Sequence, residues 1–176
     1  MAEDSDLVQI INGCKAGKAE TFEKLIDIYG KRCYGYFCRL TGSQTTADDL
    51  LSELFVKLVG KINSYKGGSF ESWLFKIASN VFHDCLRQKQ QQAKLAEVRK
   101  KQVEREIKGA KKSTDERVDE LQIQLEKLDG DTKEVIMLRF YSQLSFKEIA
   151  RMRAEPIGTT LAKVHRGLKK LRKLME

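Results

Sequence analysis

The stretch "LSFKEIARMRAEPIGTTLAKVHRGLKKLRKLME", residues 144–176, decides the fold of the C-terminal part of this chain. Ser145 is followed three positions later by Glu148, which is the capping box that begins many helices. The sequence predicts one helix over 145–153, a tight turn, and a second helix over 157–174. A short helix held behind a longer one by a tight turn is the outline of a helix-turn-helix.

The second of these helices is strongly basic, and its lysines and arginines are Lys163, Arg166, Lys169, Lys170, Arg172 and Lys173. In a helix-turn-helix the N-terminal half of this helix can face base edges in a major groove, while later lysines suit phosphates or solvent. Gly158 is predicted to allow close approach at the turn. Thr159 is predicted to cap the helix or to donate to a phosphate. The alternative is an ordinary helical hairpin with a solvated basic face.

Composition sets the class of the whole chain. Its 176 residues suit one ordinary domain or two small ones, and the single proline and long unbroken segments predict an all-α protein. The net charge of +8 favours a polyanionic partner, either nucleic acid or an acidic membrane surface. Because no run of 18 apolar residues occurs and the N-terminus is acidic, we expect no membrane insertion, no signal peptide and a cytoplasmic location.

Catalytic and cofactor chemistry is not expected. No nucleophile–base pair, metal cluster or phosphate-binding loop is recognisable, which predicts a chain that is not an enzyme, with no cofactor and no small-molecule substrate. The four cysteines are expected to be reduced and mostly buried thiols. A zinc site that uses His83 and Cys85 is the weaker alternative, because their spacing alone does not close a tetrahedron.

Four helices are predicted in the first half, over residues 5–15, 18–41, 46–63 and 69–88. Thr41 and Gly42 are expected to end the second helix, and Thr45 or Thr46 to cap the third. Apolar residues recur at helical spacing along the third helix: Ala47, Leu50, Leu51, Leu54, Phe55, Leu58, Val59 and Ile62.

The composition changes at about residue 87. Residues 87–112 hold ten Lys or Arg against three Glu, and apolar residues are too sparse to build a core. We therefore predict two small helical domains, 1–88 and 120–176, joined by a basic and partly helical linker over 89–119 that continues the preceding helix. The linker charge is interpreted as a solvated run, with contact to nucleic acid or an acidic channel as the alternative.

Two separate motif sets resemble one family. "LSFKEIA", "PIGT" and "HR" within residues 144–166, preceded by "EVIMLRF" at 134–140, resemble the C-terminal DNA-reading domain of the sigma-70 superfamily in its extracytoplasmic-function branch. "DDLLSELFVKLVGKINSYKGGSFESWLFKIASNVFHDCLR", residues 48–87, resembles the N-terminal domain of the same family. Two motif sets in the right order are more specific than one helix-turn-helix.

The resemblance implies a promoter-specificity subunit of bacterial RNA polymerase that performs no covalent chemistry. Its partners would be core RNA polymerase, promoter DNA and an anti-sigma factor. Two rival functions stay open. A stand-alone helix-turn-helix transcriptional regulator would need no polymerase, and an adaptor would bind RNA or acidic proteins through its basic helices.

The resemblance also implies three sets of site residues. The set expected to bind core polymerase is Asp48, Asp49, Leu50, Ser52, Glu53 and Phe55, with burial in the core as the alternative for its apolar members. The set expected to hold the minus-ten strand is Lys66, Gly67, Gly68, Ser69, Phe70, Lys76 and Asn80. The set expected at the minus-thirty-five element is Arg139, Thr159, Thr160, Leu161, Ala162, Lys163, His165 and Arg166.

The sequence departs from the family pattern at four positions, one of which is Asp129, where the family has a proline. Thr160 stands where the family usually has Val, Leu161 where it has a polar or basic residue, and Ser52 where it often has Gln. Leu161 is expected either to be buried or to touch a thymine methyl. Trp73 lies on an apolar stripe, so we expect it in the core rather than as a platform for a base.

Overall fold

Helices make up the fold of the computed structural model, which describes residues 2–103 and 120–175, with backbone only for 2–5 and 97–103. They are α1 (Ala2–Lys15), α2 (Ala19–Thr41), α3 (Gln44–Lys61), a 3₁₀ turn (Ile62–Ser64), α4 (Phe70–Val103), α5 (Glu120–Leu125), α6 (Gly130–Ser142), α7 (Phe146–Arg153) and α8 (Ile157–Met175). No strand occurs within the described ranges, so the all-α prediction is confirmed.

The break between α2 and α3 is set by two local signals. Gly42 adopts a positive φ of 66° and its N–H donates to the Cys38 carbonyl, so the predicted stop at Thr41 and Gly42 is confirmed. The predicted cap of α3 is wrong. Ser43, in an extended conformation, accepts a hydrogen bond from the Thr46 N–H at 3.2 Å, and α3 begins at Gln44.

Helices α1 to α4 form the N-terminal unit, whose core is rich in aromatic rings. Tyr29, Tyr36, Phe37, Phe70 and Phe75 are almost fully buried. Tyr36 and Phe75 meet edge to face, with ring centroids 5.6 Å apart. Burial of each such ring contributes about 1.5–3 kcal/mol, so this cluster is a large part of what holds the four helices together.

Helix α4 continues far beyond the residues that it buries. Its apolar face packs in the core as far as Phe82, and residues 86–96 are exposed. The backbone is helical without a break to Val103, which agrees with the prediction that the basic segment continues the preceding helix. The remaining part of the predicted linker, 104–119, lies outside the described residues.

Helices α5 to α8 form the C-terminal unit. The Asp129 side chain caps α6 by accepting from the Thr132 N–H at 2.8 Å. The capping box of Ser145 and Glu148 that begins α7 is present with both of its hydrogen bonds.

The turn between α7 and α8 differs from the prediction. Ala154 takes the positive φ of 52°, and Gly158 lies in α8 with open space beside it. The close approach of two helices occurs instead at Gly167. A Cβ there would lie 2.5 Å from Cδ1 of Ile136 on α6, so glycine lets α8 pack directly on that helix.

The two units are docked on one another through α6, which packs against α2 and also contacts α4. Gly35 on α2 faces Tyr141 on α6 so closely that a Cβ would lie 2.4 Å from Cε1 of the ring. Among the described residues, no helix has the length and apolar character to cross a membrane.

Replacing the observed cap tests the start of α3. Ser43→Ala should lower the free energy of unfolding by about 0.5–2 kcal/mol, because the Thr46 N–H loses its acceptor. Urea unfolding followed by circular dichroism measures it. Thr45→Ala is the matched control, and this exposed side chain should change stability by no more than about 0.5 kcal/mol. A larger loss from Thr45→Ala than from Ser43→Ala would contradict this assignment.

Candidate nucleic-acid interface

One face of α8 is both basic and exposed. Ala162, Arg166, Lys169 and Lys173 follow one another at spacings of four, three and four residues, and all are exposed. Arg166 has only a weak contact, from Nε to the Ala162 carbonyl at 3.3 Å, so its terminal nitrogens point to solvent. This basic face presents positive charge over three turns of the helix, as a phosphate-binding or groove-reading surface requires.

Three residues predicted at the minus-thirty-five element hold the helix-turn-helix together. Thr160 is fully buried and its hydroxyl donates to Glu155 at 2.8 Å, so it cannot reach DNA in this fold. The half-buried Lys163 pairs with Asp131 at 2.6 Å and also with Glu155. Arg139 donates to the Leu144 carbonyl at 2.7 Å.

Titration of the acids around Lys163 follows from this packing. Burial opposes the charged form of Asp131, but the hydrogen bond from Lys163 and the charge of Arg153 outweigh it and leave the pKa of Asp131 lowered. The pKa of Glu155 is lowered in the same way, against the effect of burial, by Lys163 and Thr160. These ions stabilise the turn between α7 and α8.

The apolar residues of α8 divide between two environments. Val164 is buried within the C-terminal unit. Ile157, Leu161 and Leu168 are 47%, 43% and 39% exposed. Of the two expectations for Leu161, the structure therefore excludes burial. Its side chain lies beside the basic face and is free to make an apolar contact.

The loop between the 3₁₀ turn and α4 is held in an unusual backbone shape. Gly67 and Gly68 have φ of 102° and 91°, a region that other residues rarely adopt, and both are exposed. The Tyr65 hydroxyl closes the loop by donating to the Gly68 carbonyl at 2.6 Å. Ser69 caps the start of α4 by accepting from the Ser72 N–H at 3.1 Å. Lys66 points to solvent beside this exposed backbone.

The prediction made for Phe70 in this region is corrected by its burial. Phe70 was predicted among the residues that hold the minus-ten strand, but it is 2% exposed and packs on Tyr29 and Tyr65 with centroids 5.4 and 5.3 Å away. Trp73 is half-buried and stacks at 5.5 Å from both Tyr65 and Phe70, in agreement with its expected place in the core. Both rings therefore pack against Tyr65, whose hydroxyl closes the loop.

A cavity of about 530 Å³ opens between this loop and α1. Lys66, Gly67 and Gly68 form one wall, and Asn12 and Lys15 of α1 contribute to the other. Lys15 Nζ donates to the Tyr65 carbonyl at 2.8 Å, which ties α1 to the loop. Sequence reasoning missed the two α1 residues, because nothing local to a short helix shows which loop it will face.

A smaller crevice lies further along α4. Lys76 and Asn80 are exposed and line a space of about 240 Å³ together with Ser79 and His83. Its opposite wall comes from Met152 and Arg153, at the end of α7.

The exposed face of α3 is acidic. Asp48, Asp49, Ser52 and Glu53 are exposed, and Phe55 is half-buried. Glu53 pairs with Lys57 at 2.7 Å. The predicted contact residue Leu50 is 3% exposed and belongs to the core, because it lies on the side of α3 that packs within the N-terminal unit.

Two apolar residues of α3 lie outside the core. Val56 and Val59 are 72% and 53% exposed, although Val59 falls on the predicted apolar stripe. No group of three or more potential metal ligands occurs in the described parts of the chain.

Comparison with known proteins follows the same division of the chain. A family model described as sigma-70 region 2 matches residues 25–92, and one described as sigma-70, region 4 matches residues 124–173. The chain is 30% identical to the ECF RNA polymerase sigma factor SigX of Bacillus subtilis (strain 168), over 89% of this chain and 84% of that one.

The chain belongs to the ECF branch of the sigma-70 family. It is also 28% identical to SigW of the same organism, over 93% of each chain. A solved structure of the sigma factor RpoE from Bartonella quintana, in complex with the anti-sigma factor NepR, superposes with a TM-score of 0.71 at 21% identity, over 89% of this chain and 98% of that one. The structural likeness is a likeness of fold.

The role of Lys163 can be tested through pH. The lowered pKa values of Asp131 and Glu155 contribute stability that is present above the ordinary carboxylate range, near pH 4, and is lost as the pH falls through the lowered values. Lys163→Met removes a cause of both shifts. It should therefore lower the urea midpoint clearly at pH 7 and much less at pH 3.

Lys169→Met is the control, since this exposed lysine of the same helix should change the midpoint little at either pH. An equal loss from Lys163→Met at both pH values would show that its ion pairs do not stabilise the fold.

Proposed function

We propose that this chain is the promoter-specificity subunit of a bacterial RNA polymerase, binding the core enzyme and directing it to promoters to initiate transcription. The observation that carries the proposal is the order of the two family regions along one chain, region 2 at 25–92 and region 4 at 124–173. A stand-alone helix-turn-helix regulator has no need of the first region and is not favoured.

Recognition of the minus-thirty-five element is assigned to α8. Arg166 carries two free terminal nitrogens on the exposed basic face, and such a guanidinium can bind O6 and N7 of a guanine together. Ala162, His165 and Leu161 are exposed on the same half of the helix and are proposed to meet base edges or a thymine methyl. Thr159 is proposed to meet a phosphate near the helix N-terminus.

Two members of the original minus-thirty-five set receive a supporting role. Lys163 anchors α8 through its ion pairs, and Arg139 anchors the segment before α7 through its hydrogen bond. Thr160 is removed from the set because it is buried. Lys163 and Arg139 position α8 for DNA rather than contacting it.

Capture of the minus-ten strand is assigned to the glycine loop and the exposed side of α4. The cavity of about 530 Å³ falls within the usual size of about 300–1,000 Å³ for sites that enclose a small ligand, which suits one extruded base. Lys66 and Lys76 supply charge for phosphates, and Asn80 offers an amide to a base edge. Exposed backbone at Gly67 and Gly68 allows the strand to approach closely.

Contact with core polymerase is assigned to α3. Asp48, Asp49, Ser52 and Glu53 present polar groups, and Val56 adds apolar area of the kind that partner surfaces cover. Leu50 is not part of this surface.

The proposed division of the chain is a polymerase- and minus-ten-binding domain at 1–88, a linker at 89–119 and a minus-thirty-five-binding domain at 120–176. We place the protein in the cytoplasm, where polymerase acts. An anti-sigma factor is a proposed partner, supported by the fold shared with RpoE, whose structure contains one. The role requires no covalent chemistry, enzyme activity or cofactor from this chain.

Transcription in vitro tests this function. Purified core polymerase and this chain, incubated with a library of random promoter fragments, should give run-off transcripts from a defined subset that core polymerase alone does not transcribe. DNA binding without association with core polymerase would favour the stand-alone regulator. Binding to nucleic acid regardless of sequence would favour the adaptor.

Two substitutions on α8 separate base reading from phosphate binding. Arg166→Ala should cost about 1–3 kcal/mol of discrimination at one or two minus-thirty-five positions, because the paired hydrogen bonds to a guanine are lost. Lys173→Ala should weaken binding about equally on all sequences and flatten its salt dependence. Binding to a set of single-base promoter variants measures both. If Arg166→Ala weakens every variant by the same factor, this arginine is a phosphate contact.

A further inference from the structure

A second basic surface runs along α4, beyond the part of this helix that the core buries. Lys76, Asn80, Arg87 and Lys94 follow one another at spacings of four, seven and seven residues, and all of them are exposed. At about 3.6 residues per turn these spacings place them on one side of the helix, and we call this set the α4 stripe. The stripe begins at two residues assigned to the minus-ten strand and continues over a segment to which the proposed function gives no role.

Residues 86–96 form a helix without help from the core. Every one of them is exposed, and the backbone stays helical through them to Val103. The segment contains only Leu, Arg, Gln, Lys and Ala, which are among the strongest helix formers. The local sequence therefore favours a helix here, and a continuous helix keeps Arg87 and Lys94 on the same side as Asn80.

The charge of this segment has one sign. Residues 85–96 contain no acid, and their basic residues are Arg87, Lys89 and Lys94. The preceding acid, Asp84, is shared, because it pairs with Lys57 at 3.2 Å as well as with Arg87. An exposed helix that its own charges stabilise in water carries acids and bases about four residues apart. The other polar residues are glutamines, whose amides also donate to phosphate oxygens, so the segment is complementary to a polyanion.

The order of the chain indicates which part of a promoter the stripe meets. The glycine loop and Asn80 are assigned to the minus-ten strand, and α8, further along the chain, to the minus-thirty-five element. Residues 86–96 lie between these two surfaces in the sequence, as the spacer duplex lies between the two elements in a promoter. From Asn80 to Lys94 the helix advances by about 21 Å, at about 1.5 Å per residue. Duplex DNA advances by about 3.4 Å per base pair, so this length matches about six base pairs.

We propose that the α4 stripe beyond Asn80 binds the sugar-phosphate backbone of the duplex directly upstream of the minus-ten element, with Arg87 and Lys94 each contacting a phosphate. Lys76 and Asn80 hold the separated strand, and the exposed extension of α4 carries the same side of the helix onto the paired DNA behind it. Such contacts add affinity and fix orientation without a base preference. The location of the DNA rests on the proposed function, while the basic stripe itself does not.

Two lysines of the extension form a matched pair. Lys94 lies on the stripe, and Lys89, five residues earlier, lies about 140° around the helix from it. Both are exposed, and a change to Gln removes the same charge at each position with almost no change in helix propensity. A difference between Lys94→Gln and Lys89→Gln therefore reports the direction of the partner rather than the net charge of the chain.

Binding of the chain with core polymerase to two fluorescein-labelled probes tests the proposal. The first probe is a fork, with the minus-ten region as a single strand and an upstream duplex too short to include the minus-thirty-five element. The second is the single strand alone. Lys94→Gln should weaken binding to the fork about two- to fivefold, the range of one exposed ion pair, and make its salt slope shallower by about 0.9. Binding to the single strand should not change, and Lys89→Gln should affect neither probe.

Uncharged methylphosphonate linkages locate the contact on the DNA. They are introduced one at a time along the upstream duplex of the fork. A linkage about six base pairs from the junction should weaken binding of the wild type and leave binding of Lys94→Gln unchanged, because that variant has already lost the contact.

Three results would overturn the proposal. Equal effects of Lys94→Gln and Lys89→Gln on the fork would show that the charge acts without direction. An equal loss on the fork and on the single strand would place Lys94 on the separated strand. Weaker assembly of Lys94→Gln with core polymerase, with unchanged DNA binding by the assembled complex, would assign the extension to an acidic surface of the polymerase.

Failure of the proposed function is a separate result, in which the wild-type chain directs core polymerase to no promoter. The chain alone, at low salt with a fork of mixed sequence, then decides the inference. Weaker binding of Lys94→Gln than of Lys89→Gln would support a duplex contact by the stripe, and equal binding would overturn it.

Discussion

The buried carboxylate of Glu134 is the interaction on which the arrangement of the two units depends. An ionised carboxylate is stable away from water only when charges or hydrogen-bond donors surround it. Arg153 supplies the balancing charge from the C-terminal unit, and Tyr36, Ser79 and His83 supply polar contacts from the N-terminal unit. When the units separate, Glu134 keeps its ion pair with Arg153 and loses its three polar contacts with the N-terminal unit. Docking is therefore favoured without being irreversible.

The parts of the fold that the sequence predicts are those specified by neighbouring residues. The capping box at Ser145 and the stop at Gly42 act over a few positions, and both are present. The docking of the units was not predicted, because Glu134 finds Tyr36 across 98 positions and Ser79 across 55. Periodicity shows which side of a helix is apolar. It does not show which distant helix an acid on α6 will meet.

The segments of the candidate interface were predicted, but the exposure of their individual residues was not, because exposure also depends on packing between distant parts of the chain. Motif resemblance selects a segment, and packing then decides which of its members face water. Leu50, Phe70 and Thr160 are buried within their segments, while Arg166 and Asn80 remain accessible. The opposite error occurs for Val59, an apolar residue that the core does not cover, because a wide apolar stripe includes positions at the edge of the buried face.

Urea unfolding of Glu134→Gln, followed by the fluorescence of Trp73, most directly tests whether this carboxylate couples the units. Trp73 is the one tryptophan of the chain and lies in the N-terminal unit, whereas Glu134 belongs to the C-terminal unit. Coupling through the carboxylate predicts that Glu134→Gln lowers the urea midpoint reported by Trp73. An unchanged Trp73 transition, with a lower midpoint for the C-terminal unit alone, would contradict the account.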